Sequence, residues 1–582
     1  MQLDPVTTQV LWNRLISIVD EAATGLMRTA YTPSVKEYHD FCCALFDRDA
    51  NMLAHSTVTT AGFLGIVPEV MRNFLERYPP DTLKPGDALI TNDPWLASGH
   101  LIDVTIAAPI FHRGGLVGYA LCIVHHLDMG GRMSTLESKD MYEEGLKIPP
   151  VKLFEEGKLN PLIFDFMRAN IRVPEKVLGD IRAQLVANNV CARGLARLLD
   201  EYRLDGLEEL GREVIVRTEQ SLRRKIAALP DGRYHNSITL PPIPGTADLV
   251  TIKVAVSIEG DQITIDYDGS SGPVGAAINC TLNMTKSYST YPIKLALDPD
   301  VPNNEGGLRP IRVLAPRGSV LNCDPPAATW GRTMISHLLP EIIFATIEAL
   351  VPDKVLAANG GCPANEVYLH GKRRDGRNFL AIAQHSGGFG ASAYHDGYGT
   401  LCFPNNTANI PVEVTENEAT MYYLKKEYVT DSGGPGRKRG GTGQEVAFRI
   451  TEGADGSEGF VEGSVRLNGR SAESSFPVIG RQGGGQGRGT GLWLDEEAID
   501  HGVYRRMRPG QTVRFMLGGG GGFGDPLERE PEHVAEDVRE GFVSIDGARS
   551  DYGVILNVNS LSVDEEATAA LRAAKRGNGS GG

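Results

Sequence analysis

Cysteine is sparse, and none of it sits at metal or redox spacing. Eight cysteines fall between Cys42 and Cys402 without a C-x-x-C pair. That excludes a disulfide scaffold and points to a reduced, cytoplasmic chain. The adjacent Cys42 and Cys43 are expected to pack in a core. No apolar run reaches the roughly 18 residues needed to cross a bilayer. The richest stretch, Leu338 to Val351, is interrupted by Pro340, Glu341 and Glu348. The opening Met-Gln-Leu-Asp-Pro lacks a basic segment followed by an apolar one, so no secretory signal is expected. Positive charge is also short. Against 73 Asp and Glu stand 58 Lys and Arg, a net charge of −15, which suits neither nucleic-acid backbones nor other polyanions. The local basic run Arg437-Lys438-Arg439 reads as a solvated loop. There is no G-x-x-x-x-G-K-[ST], H-E-x-x-H or G-x-S-x-G, and Gly157-Lys158 and Gly371-Lys372 both lack the following Ser or Thr. The chain therefore shows no nucleotide site of its own.

What is present in excess is glycine, 68 of 582 residues. Such a chain relies on tight turns and close backbone approaches. Its length suits about three to five domains of about 100–200 residues. The pattern predicts a mixed α/β (α+β), multidomain protein. Asp4 and Pro5 read as helix-start residues, and Leu11, Leu15, Ile18, Ala22 and Leu26 form one apolar helix face. Strands are expected from Gly86 to Asp128, and helices over Gly179–Tyr202 and Leu204–Leu229, making 1–230 a mixed domain. Ile252, Val254, Val256 and Ile258 alternate, turn at Glu259-Gly260-Asp261, and return through Ile263, Ile265 and Tyr267 as a hairpin. With helices near 281–296 and 333–350, residues 231–385 form an α+β domain. Residues 386–575 read as β-rich and glycine-rich, and 576–582 as a flexible tail.

The densest chemistry lies at 91–131, where His100, Asp103, His125, His126 and Asp128 fall close together. Imidazole and carboxylate suit a divalent metal such as Zn, Mn or Fe. Val104–Phe111 and Leu116–Val124 are β-rich runs split by Arg113-Gly114-Gly115. Opposed residues of a hairpin share a constant index sum, and a turn centred on Gly114 sets Asp103 opposite His125 with Cβ atoms about 5 Å apart. His100 then reaches in from the loop, while His126 points to the other face. A two-residue turn would shift the register by one and bring His126 into play. Three protein ligands leave open positions, the catalytic arrangement. Asp93 and Asp128 are candidates for a general base or for second-layer support, although Asp93 before Pro94 is equally a turn former.

Two further loops carry polar groups. Gln384 to Gly390 with His395-Asp396-Gly397 brings His385, His395 and Asp396 onto a glycine-rich loop, which reads equally as a site or as a structural loop. Asp298 to Gly306 reads first as a shaped loop, with Glu305 as a speculative site residue.

These segments resemble the hydantoinase B/oxoprolinase family. The resemblance runs over about 4–560 through Arg28-Thr-Ala-Tyr31, Asp40-Phe-Cys42, Ala44-Leu-Phe-Asp47, Thr91-Asn-Asp-Pro94, Gly99-His-Leu-Ile-Asp103 and His125-His-Leu-Asp-Met-Gly-Gly131. It continues through Glu144-Gly-Leu-Lys-Ile-Pro-Pro150, Gly179-Asp180 with Ala183-Gln184, Pro302-Asn-Asn-Glu-Gly306, Gly387-Gly388 and Gly518-Gly-Gly-Gly-Gly-Phe-Gly-Asp-Pro526. The family's usual Gly-Gly-Thr-His is Ala97-Ser-Gly-His100 here, and its Pro-Gly-Ser stretch is replaced by Arg132-Met-Ser-Thr135.

The resemblance implies a subunit of an ATP-dependent cyclic amide hydrolase, acting on a hydantoin, 5-oxoproline or another lactam. ATP would be bound by a separate hydantoinase A/oxoprolinase-type partner of actin-like kinase fold, in an α2β2-type assembly. It also implies a divalent metal on His100, Asp103 and His125, carried over from the related carboxylases. Those carboxylase subunits are commonly longer, so the length favours the amide-hydrolysing branch. A ketone carboxylase subunit is the alternative enzyme, and a non-catalytic scaffold for the ATPase subunit is the alternative of another class.

Overall fold

The computed structural model describes residues 4–132, 135–244, 246, 249–362, 365–373, 375–451, 461–467 and 477–578. Met133 and Ser134, part of the departure from the family pattern, lie outside the described residues. No helix among the described residues is long and apolar enough to cross a membrane, and all eight cysteines are buried without a disulfide.

The first helix runs Pro5–Thr29, with the Asp4 carboxylate accepting from the backbone N–H groups of Val6 and Thr7. Those two donors have no partner inside the helix, so the cap satisfies them. Leu11, Leu15, Ile18, Ala22 and Leu26 are buried as the spacing predicts. Their face packs on the helix Pro174–Glu201. Gly194 stands at the contact because a Cβ there would lie 2.8 Å from Ile18. That second helix starts five residues before the expected Gly179, since Pro174 is suited to a first turn.

Seven strands form the first sheet: β1 (Phe41–Asp47), β2 (Met52–His55), β3 (Ala88–Thr91), β4 (Asp103–His112), β5 (Gly115–His125), β6 (Val151–Glu155) and β7 (Lys158–Leu159), in the order β2-β1-β5-β4-β3-β6-β7. Both faces are covered. Cys43 and Leu45 face the helical core, while Cys42, Ala44 and Phe46 face a second core shared with later elements. Period-two alternation thus sends the adjacent cysteines to opposite cores.

The β4–β5 hairpin closes over two residues, Arg113 and Gly114, both at positive φ (49° and 84°). Taken alone, this turn gives the shifted register. An irregularity between Ile110 and Phe111 then skips Val117 and restores the pairing of Asp103 with His125. The expected register holds, for a different reason: a β-bulge resets it.

The second sheet comprises β8 (Gly232–Thr239), β9 (Thr251–Glu259), β10 (Gln262–Asp266) and β11 (Ile311–Leu314) in the order β11-β10-β9-β8, including the expected hairpin. The helix expected over 281–296 is Leu282–Leu297. The single helix expected over 333–350 is two, Thr333–Ser336 and Leu339–Ile347. Pro340 has no N–H to give a preceding turn and stands in the first turn of the second helix.

The remaining strands are β12 (Asn365–Lys372), β13 (Asn378–His385), β14 (Met421–Tyr428), β15 (Gln444–Ile450), β16 (Val461–Arg466), β17 (Gly491–Leu494), β18 (Glu497–Ala498), β19 (Arg505–Met507) and β20 (Thr512–Met516). They make two sheets, β13-β12-β16-β19 and β14-β15-β20-β17-β18, packed over a core of Val367, Phe379, Val446, Phe448, Val465 and Phe515. Tyr368, Leu380 and Ile382, on the opposite face of β12 and β13, join the core containing Ile102, Val104 and Trp330. Strands on both sides of the expected boundary at 385/386 share a sheet, since β12 pairs with β16.

Much of 386–575 is not strand. The glycine clusters cross one another as backbone packed on backbone: Gly388 N–H donates to the Gly518 carbonyl, Gly434 to Gly520, and Gly520 to Gly441. A Cβ on Gly440 would lie 1.9 Å from the Gly520 carbonyl oxygen. Gly440→Ala is expected to cost about 3 kcal/mol through overpacking, read as a fall in the thermal midpoint. At the far end the helix Glu565–Asn578 takes in residues 576–578, the start of the expected tail.

Candidate metal centre

The sheet sets the site. Asp103 opens β4 and His125 closes β5 directly opposite. Gly99, at φ 81°, turns the preceding loop so that His100 faces them. A side chain at 99 would collide with Met284 and Arg332, at 2.3 and 2.9 Å from its Cβ. The serine-glycine version of the family pattern thus fits a space that Arg332 occupies. His100, Asp103 and His125 are all buried, and one ligand atom from each lies within 4.8 Å of the other two.

Protonation follows from the partners. His100 Nδ1 lies 3.1 Å from the Trp330 carbonyl oxygen. A carbonyl only accepts, so Nδ1 carries the proton and Nε2 presents a lone pair. That lone pair faces Asp103 Oδ2 at 2.7 Å, an arrangement that calls for a cation. Among the described residues Asp103 Oδ1 is buried with no hydrogen-bond partner. Burial alone would raise the Asp103 pKa, but His100, Arg332 and His125 beside it bring it down to about 2. Burial pushes His125 down to about 3, and burial, then the Arg332 charge, lower His100. The trio is therefore one carboxylate and two neutral imidazoles, the state a divalent metal needs. The donor set, the orphaned oxygen and the opposed lone pairs fit a Zn, Mn or Fe ion.

Sequence reasoning missed Arg332. Its Nη2 donates to Asp103 Oδ2 at 2.8 Å and its Nε to the Ser98 carbonyl at 2.8 Å. The segment that carries it is fixed by Glu144, whose Oε1 accepts from the N–H groups of Thr329 and Trp330 at 2.9 and 2.8 Å. Burial raises the Glu144 carboxyl to about 7. Glu144 stands in a segment that the family resemblance marked, but nothing in the spacing ties it to residues 185 positions away.

The other candidates separate from the trio. His126 turns to the opposite face, with Nε2 3.0 Å from Gln184 Oε1. His126→Ala is expected to leave metal content unchanged and to cost about 1–3 kcal/mol by orphaning Gln184, measured by metal analysis and thermal denaturation side by side. The Asp128 carboxylate accepts from the Gly130 N–H at 2.8 Å and pairs with Arg172 at 3.0 Å. Asp93 accepts from the Trp95 N–H at 3.0 Å and pairs with Lys147 at 2.8 Å. Both carboxylates are engaged in holding loops.

His385 is buried against Tyr423 and Phe515 and held low, at about 3, by burial. Asp396 makes a two-pronged pair with Arg529, at 2.7 and 2.8 Å. His395 is exposed at an open cleft with His55, Tyr291 and Phe389, which the trio does not line. Glu305 pairs with Arg72, and Asn304 donates to Thr218 at 2.9 Å. Neither loop meets the trio.

The sequence model of the family described as Hydantoinase B/oxoprolinase matches residues 4–526. The chain is 29% identical to the caprolactamase subunit beta of Pseudomonas jessenii, over 98% of this chain and 99% of that one. Among solved structures it is similar to the ATP-dependent caprolactamase of the same organism (TM-score 0.87, 28% identity, 98% of this chain, 100% of that one). It also shares its fold with a nucleotide-free acetone carboxylase (TM-score 0.84, 20% identity, 99% of this chain, 83% of that one).

Proposed function

The chain belongs to the hydantoinase B/oxoprolinase family, and from that premise we propose that it is the ring-opening subunit of an ATP-dependent cyclic amide hydrolase. The convergence of His100, Asp103 and His125 in one buried cluster carries this reading. A ring amide is a poor electrophile, and phosphorylation by an ATP-binding hydantoinase A/oxoprolinase-type partner activates it. An activated intermediate must then be kept from bulk water, which a buried site does. A divalent metal held by these three residues supplies Lewis acidity.

The chain's own residues prepare that site. The Trp330 carbonyl fixes the His100 tautomer, and Arg332 keeps Asp103 ionised and oriented. Asp93 and Asp128, engaged with Lys147 and Arg172, support the loops that carry the ligands rather than act as bases. The chain aligns with the full length of the caprolactamase chain and with 83% of the acetone carboxylase chain, which favours amide hydrolysis over ketone carboxylation.

The test is ADP release by this chain copurified with its ATPase partner. Hydantoin, N-methylhydantoin, 5-oxoproline, simple lactams and ketones are each supplied with and without bicarbonate. ADP release matched by opened ring is the expected result. Release only with a ketone and bicarbonate, with carbon incorporated, would replace the reading by carboxylation. An isolated chain that binds no divalent metal would favour a scaffold.

A further inference from the structure

The sheet that covers the metal centre carries a charge that the fold leaves incompletely paired. Arg466, at the end of β16, is 2% exposed. Its cross-strand neighbour on β12 is Glu366, whose carboxylate pairs with Arg466 Nη2. Glu366 is steadied in turn by Gln384 of β13, whose Nε2 donates to Oε1 at 3.2 Å. Among the described residues, Arg466 Nε and Nη1 are buried with no hydrogen-bond partner. Two residues along the same face of β12, the Tyr368 hydroxyl is also buried and has no partner among the described residues.

These groups border the metal site. A Cβ on Gly331 would lie 3.2 Å from Arg466 Nη1, and Gly331 is flanked by Trp330, which orients His100, and Arg332, which pairs with Asp103. The Tyr368 ring packs edge-on against Trp330, with centroids 6.0 Å apart. Burial first, then the charges of Arg332, Arg466 and His100, hold His337 below its ordinary value. A buried guanidinium whose Nη2 is paired still has Nε and Nη1 N–H groups, pointing in different directions, to give to anionic oxygens.

Resting on the ring-opening reading, we propose that Arg466 and Tyr368 form an anion-recognition site beside the metal centre, which holds two oxygens of a carboxylate or phosphoryl group on the reacting molecule. Glu366 and Gln384 are positioning residues for it.

The test titrates inorganic phosphate, bicarbonate and acetate by calorimetry into the metal-loaded chain in complex with its ATPase partner. Wild type, Tyr368→Phe and Arg466→Lys are compared, with metal content measured in each. At least one anion should bind wild type. Tyr368→Phe should weaken it about 10-fold and Arg466→Lys about 100-fold, at unchanged metal content. Phosphate as the tighter probe identifies a phosphoryl source, and bicarbonate or acetate a carboxylate. Tyr368→Phe removes a hydroxyl that has no partner among the described residues, so it keeps the test available if the lysine variant misfolds. No binding by wild type, or equal binding by the variants, overturns the proposal. A chain that takes up no metal yet binds the anion through these residues overturns the metal reading alone.

Discussion

The double variant His100→Ala/Asp103→Ala is expected to purify without bound metal and to lose ring opening by at least about 10³-fold. Removing both leaves His125 as the sole member of a trio whose ligand atoms lie within 4.8 Å, and one imidazole does not retain a divalent ion. It also removes the pair of lone pairs that face each other at 2.7 Å, which is the feature that demands a cation. Metal analysis after dialysis and product formation by the intact complex provide the readout. Retained metal with full ring opening would remove this cluster from the mechanism. The contrast with His126→Ala, next in sequence to a ligand and on the opposite face, separates loss of a ligand from general damage to the hairpin.

Most of this site was legible because the hairpin makes it local. Asp103 and His125 are placed by alternation and a glycine turn, and His100 by its spacing from Asp103. Even so, the two-residue turn would have misplaced them without the bulge at Val117, and no propensity announces that bulge. Arg332 was illegible for a different reason. It comes from 229 residues beyond Asp103, and its approach depends on a segment fixed by Glu144 and on the missing side chain at Gly99. The helical segments followed the same logic: the apolar face of Pro5–Thr29 was readable, while the break at Pro340 was overridden in the reading by the apolar run around it. Residues 386–575 read as β-rich, while the glycine excess itself pointed to tight turns and close backbone approaches. Which glycines meet is a tertiary outcome, settled where Gly440, Gly441 and Gly520 pack.

Arg332→Met should be the most destabilising single change in the site, by about 3–5 kcal/mol in metal-free protein. It leaves Asp103, fully buried, with an uncompensated charge. The sign of the pH dependence follows. Asp103, held at about 2 against an ordinary value of 3.8, contributes stability that is present above the ordinary value and lost as pH falls through about 2. Without Arg332 one of the charges that lower it is gone, so its folded-state pKa moves up and this acid-side loss shrinks while stability at neutral pH falls. Denaturation midpoints across acid and neutral pH measure both. Arg332→Met/Asp103→Leu removes the two charges together and should recover part of the lost stability without recovering metal or activity. Additive single and double effects would show that the 2.8 Å contact carries no coupling. A large positive coupling would make Arg332 the group that lets a buried carboxylate stay ionised, ready for a cation.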